Sequence, residues 1–340
     1  MTVRCGDTLL FQTLPVIAAG AAVGGKKESE GPLAAEFDEL SADNRFGQSS
    51  WEAAEKYLQL RAARLCLQKA ALPQEKVQLA LAGDLQAQCT ASSYAMRELG
   101  VPFAGLFGAC STMAEALGLG AALCSAGLAD GLLAMASSHF CTAERQFRTP
   151  LSYGAVRTPT AQWTATAAGA CLLRPAGQGV GIRAVTFGRV QDYQIRDINN
   201  MGAAMAPAAS ATLLHYLRDT HAEPPDFDAI YTGDLGHVGS QLFRELLAAE
   251  GLLIKNHVDC GCILYDANEQ AVKSGGSGAG CCAAVLCAHI LPRLERGTQK
   301  RVLFLATGAL MSQTTFLQKE SIPAVAHLVE LAAPEKGAAS

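Results

Sequence analysis

Cys110 is the residue of this chain with the clearest potential for chemistry, because of where its surroundings place it. It stands in the run FGACSTMAEAL, in which the glycine predicts a tight turn and the following residues predict a helix. Over 104–128 the only formally charged residue is Glu115, so this helix has no polar face and should be buried. Cys110 and Ser111 would then lie at the positive end of a buried helix dipole, which stabilises a thiolate, an oxyanion or a ligand carboxylate.

A second group of candidates follows the short buried strand that is predicted over 131–137. His139, two residues beyond this strand, could face the same pocket, with a hydrogen-bonded loop histidine as the alternative. The polar run that follows, predicted as a loop, carries Glu144, Arg145 and Arg148. Two arginines three residues apart suit a carboxylate clamp, because a guanidinium group binds a carboxylate through two parallel hydrogen bonds. A solvated, ion-paired loop is the alternative for these residues.

Two further patterns resemble known binding sites but lack part of them. Cys260 and Cys262, with His257 and Asp259, suggest a metal site, yet no second ligand pair follows at a spacing that zinc uses. Cysteines that serve packing are therefore favoured, and no metal or cofactor is predicted. The glycine run at 275–280 resembles a phosphate loop, but the Lys-Ser/Thr pair that should follow is absent from the sequence. Close helix packing is the favoured interpretation of these glycines.

Composition narrows the class of protein. The chain has 340 residues, half of them apolar and 17% charged, so it can bury a large core. A net charge of −4, with no basic run or aromatic platform, argues against a nucleic-acid partner. The first residues lack a continuous apolar stretch, so no signal peptide is expected, and the Cys110 helix is too weakly hydrophobic to span a bilayer. Many of the 12 cysteines lie in apolar runs, which indicates a reducing compartment rather than a disulfide framework.

An internal repeat is the most informative feature of the whole sequence. LAGDL at 81–85 recurs as YTGDL at 231–235, and LLAMASS finds a counterpart in VLFLATG. Between these matches, GACSTMAEAL around Cys110 corresponds to GCCAAVLCA around Cys282. Three matches in the same order indicate two copies of one unit, each with a charge-free helix.

The duplication predicts the architecture. Segments 78–137 and 226–308 should be two copies of one βαβαβ unit, and we divide the chain into halves at 1–190 and 191–340. The two charge-free helices would pack on each other between two sheets, and outer helices would cover the sheets. The predicted fold is therefore an α/β, five-layer αβαβα domain made of two similar halves.

This arrangement, with a cysteine opening the first central helix, resembles the thiolase and ketosynthase superfamily. Longer motifs narrow the resemblance to the stage V sporulation protein AD family of spore-forming bacteria. These motifs are LAGDLQAQCTASSYAMRELGVPFAGLFGACSTMAEAL, SSHFCTAERQFRTPLSYG, MGAAMAPAAS, TGDLGHVGS, GGSGAGCCAAV, ATGAL and QKESIPAVAH. Together they extend over essentially the whole chain.

The resemblance implies a function in sporulation. The family is expected to bind pyridine-2,6-dicarboxylic acid (dipicolinic acid) and to help import it, with calcium, through membrane proteins of the same operon. The resemblance also implies a soluble or peripheral protein on the inner membrane of the forespore, with no transmembrane helix. By analogy with the superfamily, a homodimer is expected, with the strand at 101–108 pairing across the dimer.

The resemblance also places Cys110 at the nucleophile position of the superfamily. Acyl transfer needs a base and an oxyanion partner near the sulfur, and ketosynthases typically use His/His or His/Asn pairs. Here the corresponding loop offers Asp234, and the nearest histidines, His237 and His257, lie outside the motif positions. Binding in an inherited pocket is therefore favoured over catalysis. The alternatives are an acyl-transfer enzyme that uses Cys110 and a non-catalytic scaffold for membrane proteins.

Dipicolinate is a flat ring with two carboxylates, so its pocket needs donors at opposite ends of an apolar slot. The N–H groups at the helix mouth would hold one carboxylate, and Arg145 or Arg148 would hold the other. The glycines of the turn at 276–278 would let the ring approach the backbone closely. The predicted ligand-binding set comprises Cys110, Ser111, His139, Arg145, Arg148, Asp234, Gly276, Ser277 and Gly278.

Overall fold

Strands and helices alternate along residues 2–147 and 157–334, which the computed structural model describes. The strands are β1 (Thr2–Cys5), β2 (Thr8–Phe11), β3 (Val16–Gly24), β4 (Glu39–Leu40), β5 (Leu79–Gly83), β6 (Phe103–Gly105), β7 (Leu132–Ser138), β8 (Trp163–Thr164), β9 (Ala167–Arg174), β10 (Val180–Phe187), β11 (Ala229–Thr232), β12 (His257–Asp259), β13 (Gly276–Ser277), β14 (Arg301–Ala309) and β15 (Ala324–Ala332). The α-helices are α1 (Lys26–Ser29), α2 (Trp51–Lys69), α3 (Thr90–Leu99), α4 (Thr112–Ser125), α5 (Phe140–Phe147), α6 (Met201–Thr220), α7 (Gly236–Ala249), α8 (Cys260–Leu264), α9 (Ala279–Val285), α10 (Leu291–Glu295) and α11 (Gln313–Leu317).

Two sheets share one strand order, which is the structural form of the sequence repeat. The first runs β6-β5-β7-β9-β3 and the second runs β12-β11-β14-β15-β10, and the two are joined where the start of β10 pairs with the start of β3. In each sheet the first three strands are parallel, and the fourth and fifth are each antiparallel to the strand before. The predicted duplication is therefore confirmed. Because β10 belongs to the second sheet, the topology places the junction of the two halves between β9 and β10, ahead of the division at residue 190.

The first charge-free helix lies between the two sheets. A Cβ on Gly118 of α4 would lie 2.7 Å from a methyl carbon of Val185 in β10, on the second sheet. A Cβ on Gly120 would lie 2.9 Å from Leu132 of β7, on the first sheet. Its partner, α9, is buried along its whole length. Small residues thus let both sheets approach α4 closely. The helix lacks a polar face because it is buried between the sheets, as predicted.

Outer helices cover the other face of each sheet. α2 and α3 pack on the first sheet through an apolar cluster that includes Leu58 and Met96. α6 and α7 pack on the second sheet through a cluster that includes Leu213 and Phe243. The layers therefore follow the order α2/α3, first sheet, α4/α9, second sheet, α6/α7. This is the predicted five-layer αβαβα architecture.

Three details differ from the sequence prediction. The polar run after His139 is not a loop but the helix α5, which buries Thr142 and Ala143. The second central helix does not run straight on to Leu291, because a π-helical turn over Leu286–Ile290 separates α9 from α10. The edge strand of the first sheet, β6, is shorter than the predicted strand at 101–108. Whether β6 pairs with a second copy of the chain stays a prediction.

Candidate functional site

A cavity of about 130 Å³ opens beside the start of α4, where loops from both halves meet. Its apolar side chains include Leu85, Phe147, Ile198, Met201, Met205 and Met311. Its polar or charged side chains include Cys110, Glu144, Arg157, Gln162, Asn199 and Ser277. Pockets for drug-sized ligands enclose about 300–1,000 Å³, so this cavity suits a single-ring molecule better than a long acyl chain.

Cys110 reaches the cavity from a strained turn, as the sequence predicted for a residue at a helix mouth. It lies in a short 3₁₀ turn over Ala109–Ser111, directly ahead of α4. Ala109 has a φ of 51°, in the left-handed region that residues other than glycine rarely adopt. Such strain persists only where the surrounding structure over-determines the backbone. The sulfur therefore has a fixed place on the cavity wall.

Asp234 is fully buried beside the Cys110 thiol, and its carboxylate is well supplied with hydrogen bonds. Its Oδ2 accepts from the Ser277 hydroxyl at 2.8 Å and from the Gly278 N–H at 3.0 Å. Its Oδ1 accepts from the Thr307 hydroxyl at 2.8 Å. The Cys110 sulfur lies 4.0 Å from the Ser277 hydroxyl oxygen, which links it to this carboxylate. The structure thus brings together Cys110, Asp234 and Ser277 of the predicted set.

The chemical state of Cys110 differs from the one that the helix dipole alone predicts. Burial, and then the negative charge of Asp234, raises the pKa of the Cys110 thiol well above its usual range. Burial also raises the pKa of the Asp234 carboxyl, against the hydrogen bonds that it accepts. Burial and a neighbouring carboxylate thus oppose the thiolate that the helix dipole alone would stabilise.

The remaining residues near the two helix mouths serve packing and local hydrogen bonds. Ser111 is fully buried, and both its hydroxyl and its N–H donate to the carbonyl oxygen of Gly108, at 2.7 and 3.1 Å. Its N–H therefore does not point into the cavity. Gly278 has a φ of 103°, and a Cβ there would lie 2.6 Å from the Ser138 hydroxyl oxygen. Gly276 lies in β13, where its carbonyl oxygen accepts a bond from a cavity side chain described below.

His139 is placed away from the cavity, among α2 and the segment that leads to it. The Cys141 N–H donates to its Nδ1 at 3.1 Å, so its Nε2 carries the proton and donates to the carbonyl oxygen of Asn44 at 2.9 Å. Burial lowers the pKa of His139, which keeps the ring neutral. This geometry is that of the hydrogen-bonded loop histidine, the alternative that the sequence left open.

Arg145 points outward from α5 and pairs with Glu52 of α2. Its side chain is 58% exposed and lies on the rim of a neighbouring surface depression rather than in the cavity beside Cys110. The structure therefore does not join Arg145 to Cys110. Arg148 lies outside the described residues, so its part in a carboxylate clamp stays a prediction.

Arg157 is the cation that the structure places in the cavity. Its side chain is 13% exposed, its Nη2 donates to Glu144 at 2.5 Å, and its Nη1 donates to the main-chain oxygen of Gln162 at 2.7 Å. The guanidinium lies 5.1 Å from the ring of Phe140 and 5.0 Å from that of Trp163. Arg157 could not be recognised from the sequence, because it sits in a Thr- and Pro-containing run with no informative spacing.

Gln162 and Asn199 are two further cavity residues that the sequence did not reveal. The Gln162 amide nitrogen donates to the main-chain oxygens of Asp234 at 2.6 Å and of Gly276 at 2.9 Å. Asn199 comes from the segment that leads into α6. Neither residue stands in a recognisable motif, so no sequence signal could have found them.

Comparison with known proteins assigns the chain to a family. The family model for stage V sporulation protein AD matches residues 5–332. The chain belongs to this family. It is 40% identical over 322 residues to stage V sporulation protein AD of Bacillus subtilis (strain 168), a match that covers 94% of this chain and 95% of that protein. The chain is thus a sporulation protein by family.

Solved structures show the same fold at low sequence identity. Cerulenin-bound OleA of Xanthomonas campestris matches with a TM-score of 0.60 and 16% identity, over 97% of this chain and 99% of that one. The 3-oxoacyl-[acyl-carrier-protein] synthase III of Aquifex aeolicus matches with a TM-score of 0.55 and 12% identity, over 94% and 99% of the two chains. The thiolase-like fold of this family member is therefore shown.

In this member of the stage V sporulation protein AD family, the histidines lie away from the Cys110 thiol. All seven fall within the described residues, and none lines the cavity. His237 Nδ1 lies 3.5 Å from the sulfur of Cys262, while His257 Nε2 lies 2.8 Å from the Thr232 hydroxyl. Burial lowers the pKa of His257 to about 4. The ionisable group that most affects the Cys110 thiol is thus the carboxylate of Asp234, whose charge favours the protonated thiol.

The Cys260–Cys262 segment forms the start of α8. Asp259 caps α8 and accepts from the Cys262 N–H at 3.1 Å, and burial raises the pKa of its carboxyl to about 6. Cys260 is fully buried. Within residues 2–147 and 157–334, no group of three or more His, Cys, Asp or Glu side chains is placed to share a metal ion. In the same residues, no helix combines the length and apolar character needed to cross a membrane.

Proposed function

We propose that this protein binds dipicolinate in the cavity beside Cys110 and so supports the uptake of dipicolinic acid into the developing spore. Family membership supplies the biological process, which is sporulation. The single observation that carries the choice of ligand is Arg157, a largely buried cation on the wall of a small cavity with an apolar side.

The cavity offers what a flat aromatic dicarboxylate requires. Met201, Met205 and Ile198 contribute an apolar surface for the ring. Arg157 is held against two aromatic rings, so the guanidinium is largely ordered before a ligand arrives, and binding then loses less side-chain entropy. Of its N–H groups, one contacts Glu144 and one contacts a main-chain oxygen, which leaves others for a ligand carboxylate. In this proposal, Arg157 takes the role that the sequence predicted for Arg145 or Arg148.

The acyl-transfer alternative receives less support from the same geometry. A nucleophilic cysteine must reach the thiolate form, and the pKa of the Cys110 thiol is raised by burial and by Asp234. The cavity is also small for a long acyl chain. Cys110 therefore serves as a wall of the binding site in this proposal.

The cellular setting follows from the family and is part of the proposal. The protein would act as a homodimer at the inner membrane of the forespore and pass dipicolinate, together with calcium, to membrane proteins of the same operon. β6 has a neighbour on one side only among the described strands, and Phe107 beside it is 54% exposed, which supports pairing with a second copy.

Calorimetric titration of dipicolinate into the purified protein tests the proposal. Arg157→Ala should weaken binding roughly 10- to 150-fold, because a hydrogen bond to a charged group contributes about 1.5–3 kcal/mol. The matched control is Arg145→Ala, which removes the same side chain from the outer face of α5 and should leave affinity unchanged. Thermal unfolding of both variants checks that the fold is intact, since Arg157→Ala also leaves Glu144 without that partner.

Two results would contradict the proposal. If the wild-type protein does not bind dipicolinate, dipicolinate is not its ligand. If the folded Arg157→Ala variant binds dipicolinate with the same affinity as the wild type, the cavity beside Cys110 is not the binding site.

A further inference from the structure

The side-chain amide of Gln162 is held in one orientation. Its nitrogen donates to the main-chain oxygens of Asp234 and Gly276, at 2.6 and 2.9 Å. Both partners are carbonyl oxygens, which accept hydrogen bonds and cannot donate them. Rotating the amide by half a turn would set an oxygen against two oxygens. The Oε1 atom therefore has a fixed position on a residue that lines the cavity.

This oxygen is a buried acceptor without a partner among the described residues. Gln162 lines the cavity, and its Oε1 is shielded from solvent and receives no hydrogen bond. Most buried polar side-chain atoms in folded proteins have a partner, so an exception at a cavity wall points to a ligand that supplies one. The Arg157 guanidinium is bonded to the main-chain oxygen of the same residue at 2.7 Å. A cation and an acceptor are thus presented close together.

We propose that Gln162 Oε1 accepts a hydrogen bond from the ligand itself, and that the cavity selects an aromatic carboxylate that also carries a hydrogen-bond donor. This inference rests on the proposed function and refines its ligand. For dipicolinate, it means that the cavity takes the monoanion. One carboxylate binds Arg157, and the proton that the ligand takes up from solvent lies between the ligand and Gln162.

The ionisable groups around Gln162 have their own partners, which leaves the ligand as the donor. The Asp234 carboxylate accepts from two hydroxyls and an N–H. Glu144 of α5 accepts from Arg157, the cation ahead of β8. The Cys110 sulfur, ahead of α4, lies 4.0 Å from the Ser277 hydroxyl oxygen. A doubly ionised dicarboxylate would bring only acceptors to the Gln162 oxygen, and the two would repel each other.

Titration of the wild-type protein with two ligands tests this inference, without any variant. The first is dipicolinate, and the second is its monoamide, 6-carbamoylpyridine-2-carboxylate, which has a permanent N–H donor and a single carboxylate. Titrations in EDTA-containing buffers of different ionisation enthalpy measure affinity and proton uptake together. Dipicolinate should take up about one proton, and its affinity should fall about tenfold per pH unit above neutrality. The monoamide should bind with no proton uptake and with an affinity that does not change over the same range.

A variant then assigns the effect to Gln162. Gln162→Met removes the acceptor and keeps the approximate length of the side chain, so it should abolish both the proton uptake and the preference for the monoamide at pH 8. Proton uptake that persists in a folded Gln162→Met variant would place the proton on a protein group and overturn the inference.

The remaining outcomes separate this inference from the proposed function. Arg157-dependent binding of dipicolinate without proton uptake, or binding that requires added Ca²⁺ and takes up no proton, would overturn the role of Gln162 and leave the proposed function standing. Failure of the wild type to bind either ligand would overturn both.

Discussion

Asp84 and Asp234 occupy the same position in the two copies of the repeat, yet they face different surroundings. Each follows the strand that lies second in its sheet, β5 or β11, within the matching runs LAGDL and YTGDL. Both side chains are buried. Asp84 accepts hydrogen bonds from the main chain and hydroxyl of Ser92 and from the Gln86 N–H, at 2.6–2.9 Å. Asp234 instead accepts from the hydroxyl of Ser277, a cavity residue, and its charge raises the pKa of the Cys110 thiol.

The comparison shows that the equivalent buried acid has a different role in each half. In the first half, Asp84 ties β5 to α3, and it lies close to the buried carboxyl of Glu55 in α2. In the second half, Asp234 ties β11 to the start of α9 and to β14. After burial, its charge is the next cause of the raised pKa of Cys110, a residue from the other half. A duplicated fold therefore supplies two equivalent acids, and the contacts made across the molecule decide which one lies next to the cavity.

The largest expected effect concerns Glu55, the acid beside Asp84. Burial, and then the charge of Asp84, raises the pKa of Glu55 to about 8. The folded protein thus keeps a proton that the unfolded chain releases above about pH 4.5, so the free energy of unfolding should fall as the pH rises toward 8. The slope should reach about 1.4 kcal/mol per pH unit, and Glu55→Gln should remove most of it. Urea unfolding of both proteins at several pH values measures this, and parallel pH profiles would contradict it.

Asp84→Asn should produce a smaller change in the same measurement. It removes the charge that is the second cause of the high pKa of Glu55, so the pH range in which stability falls should end below pH 8. Asp234→Asn is the matched control from the other half, and it should leave this range unchanged. If both variants shift the range equally, the two acids do not have separate roles.

The smallest expected effect concerns the reactivity of Cys110. Asp234→Asn removes a charge that raises the pKa of the Cys110 thiol, so iodoacetamide should modify Cys110 faster. For each unit by which the pKa falls, the rate should rise about threefold, because a larger thiolate fraction is partly offset by weaker nucleophilicity. Mass spectrometry of the Cys110 peptide follows the reaction, with Asp84→Asn as the control. A rate unchanged by Asp234→Asn would show that burial alone sets the state of the thiol.

Sequence reasoning was successful where the determining features are local. The charge-free run around Cys110 and the repeat of GDL were enough to predict two sheets with buried helices between them, because burial requires small and apolar residues at every position. The polar run at Phe140–Phe147 was taken for a loop, although it forms a helix that buries only one side. Its apolar residues at helical spacing were the available signal.

The site was less predictable because its geometry depends on contacts between distant segments. Arg157 is placed by Glu144 and by the rings of Phe140 and Trp163, none of which its own sequence neighbourhood reveals. Likewise, the helix dipole at Cys110 could be predicted, but the carboxylate that opposes it comes from the other half of the chain.

A crystal structure of the protein with dipicolinate tests the central claim most directly. We expect one carboxylate of the ligand on the Arg157 guanidinium, the ring against Met201 and Met205, and no covalent bond to Cys110. Dipicolinate bound at the Arg145 face of α5 instead, with the cavity beside Cys110 empty, would contradict the claim.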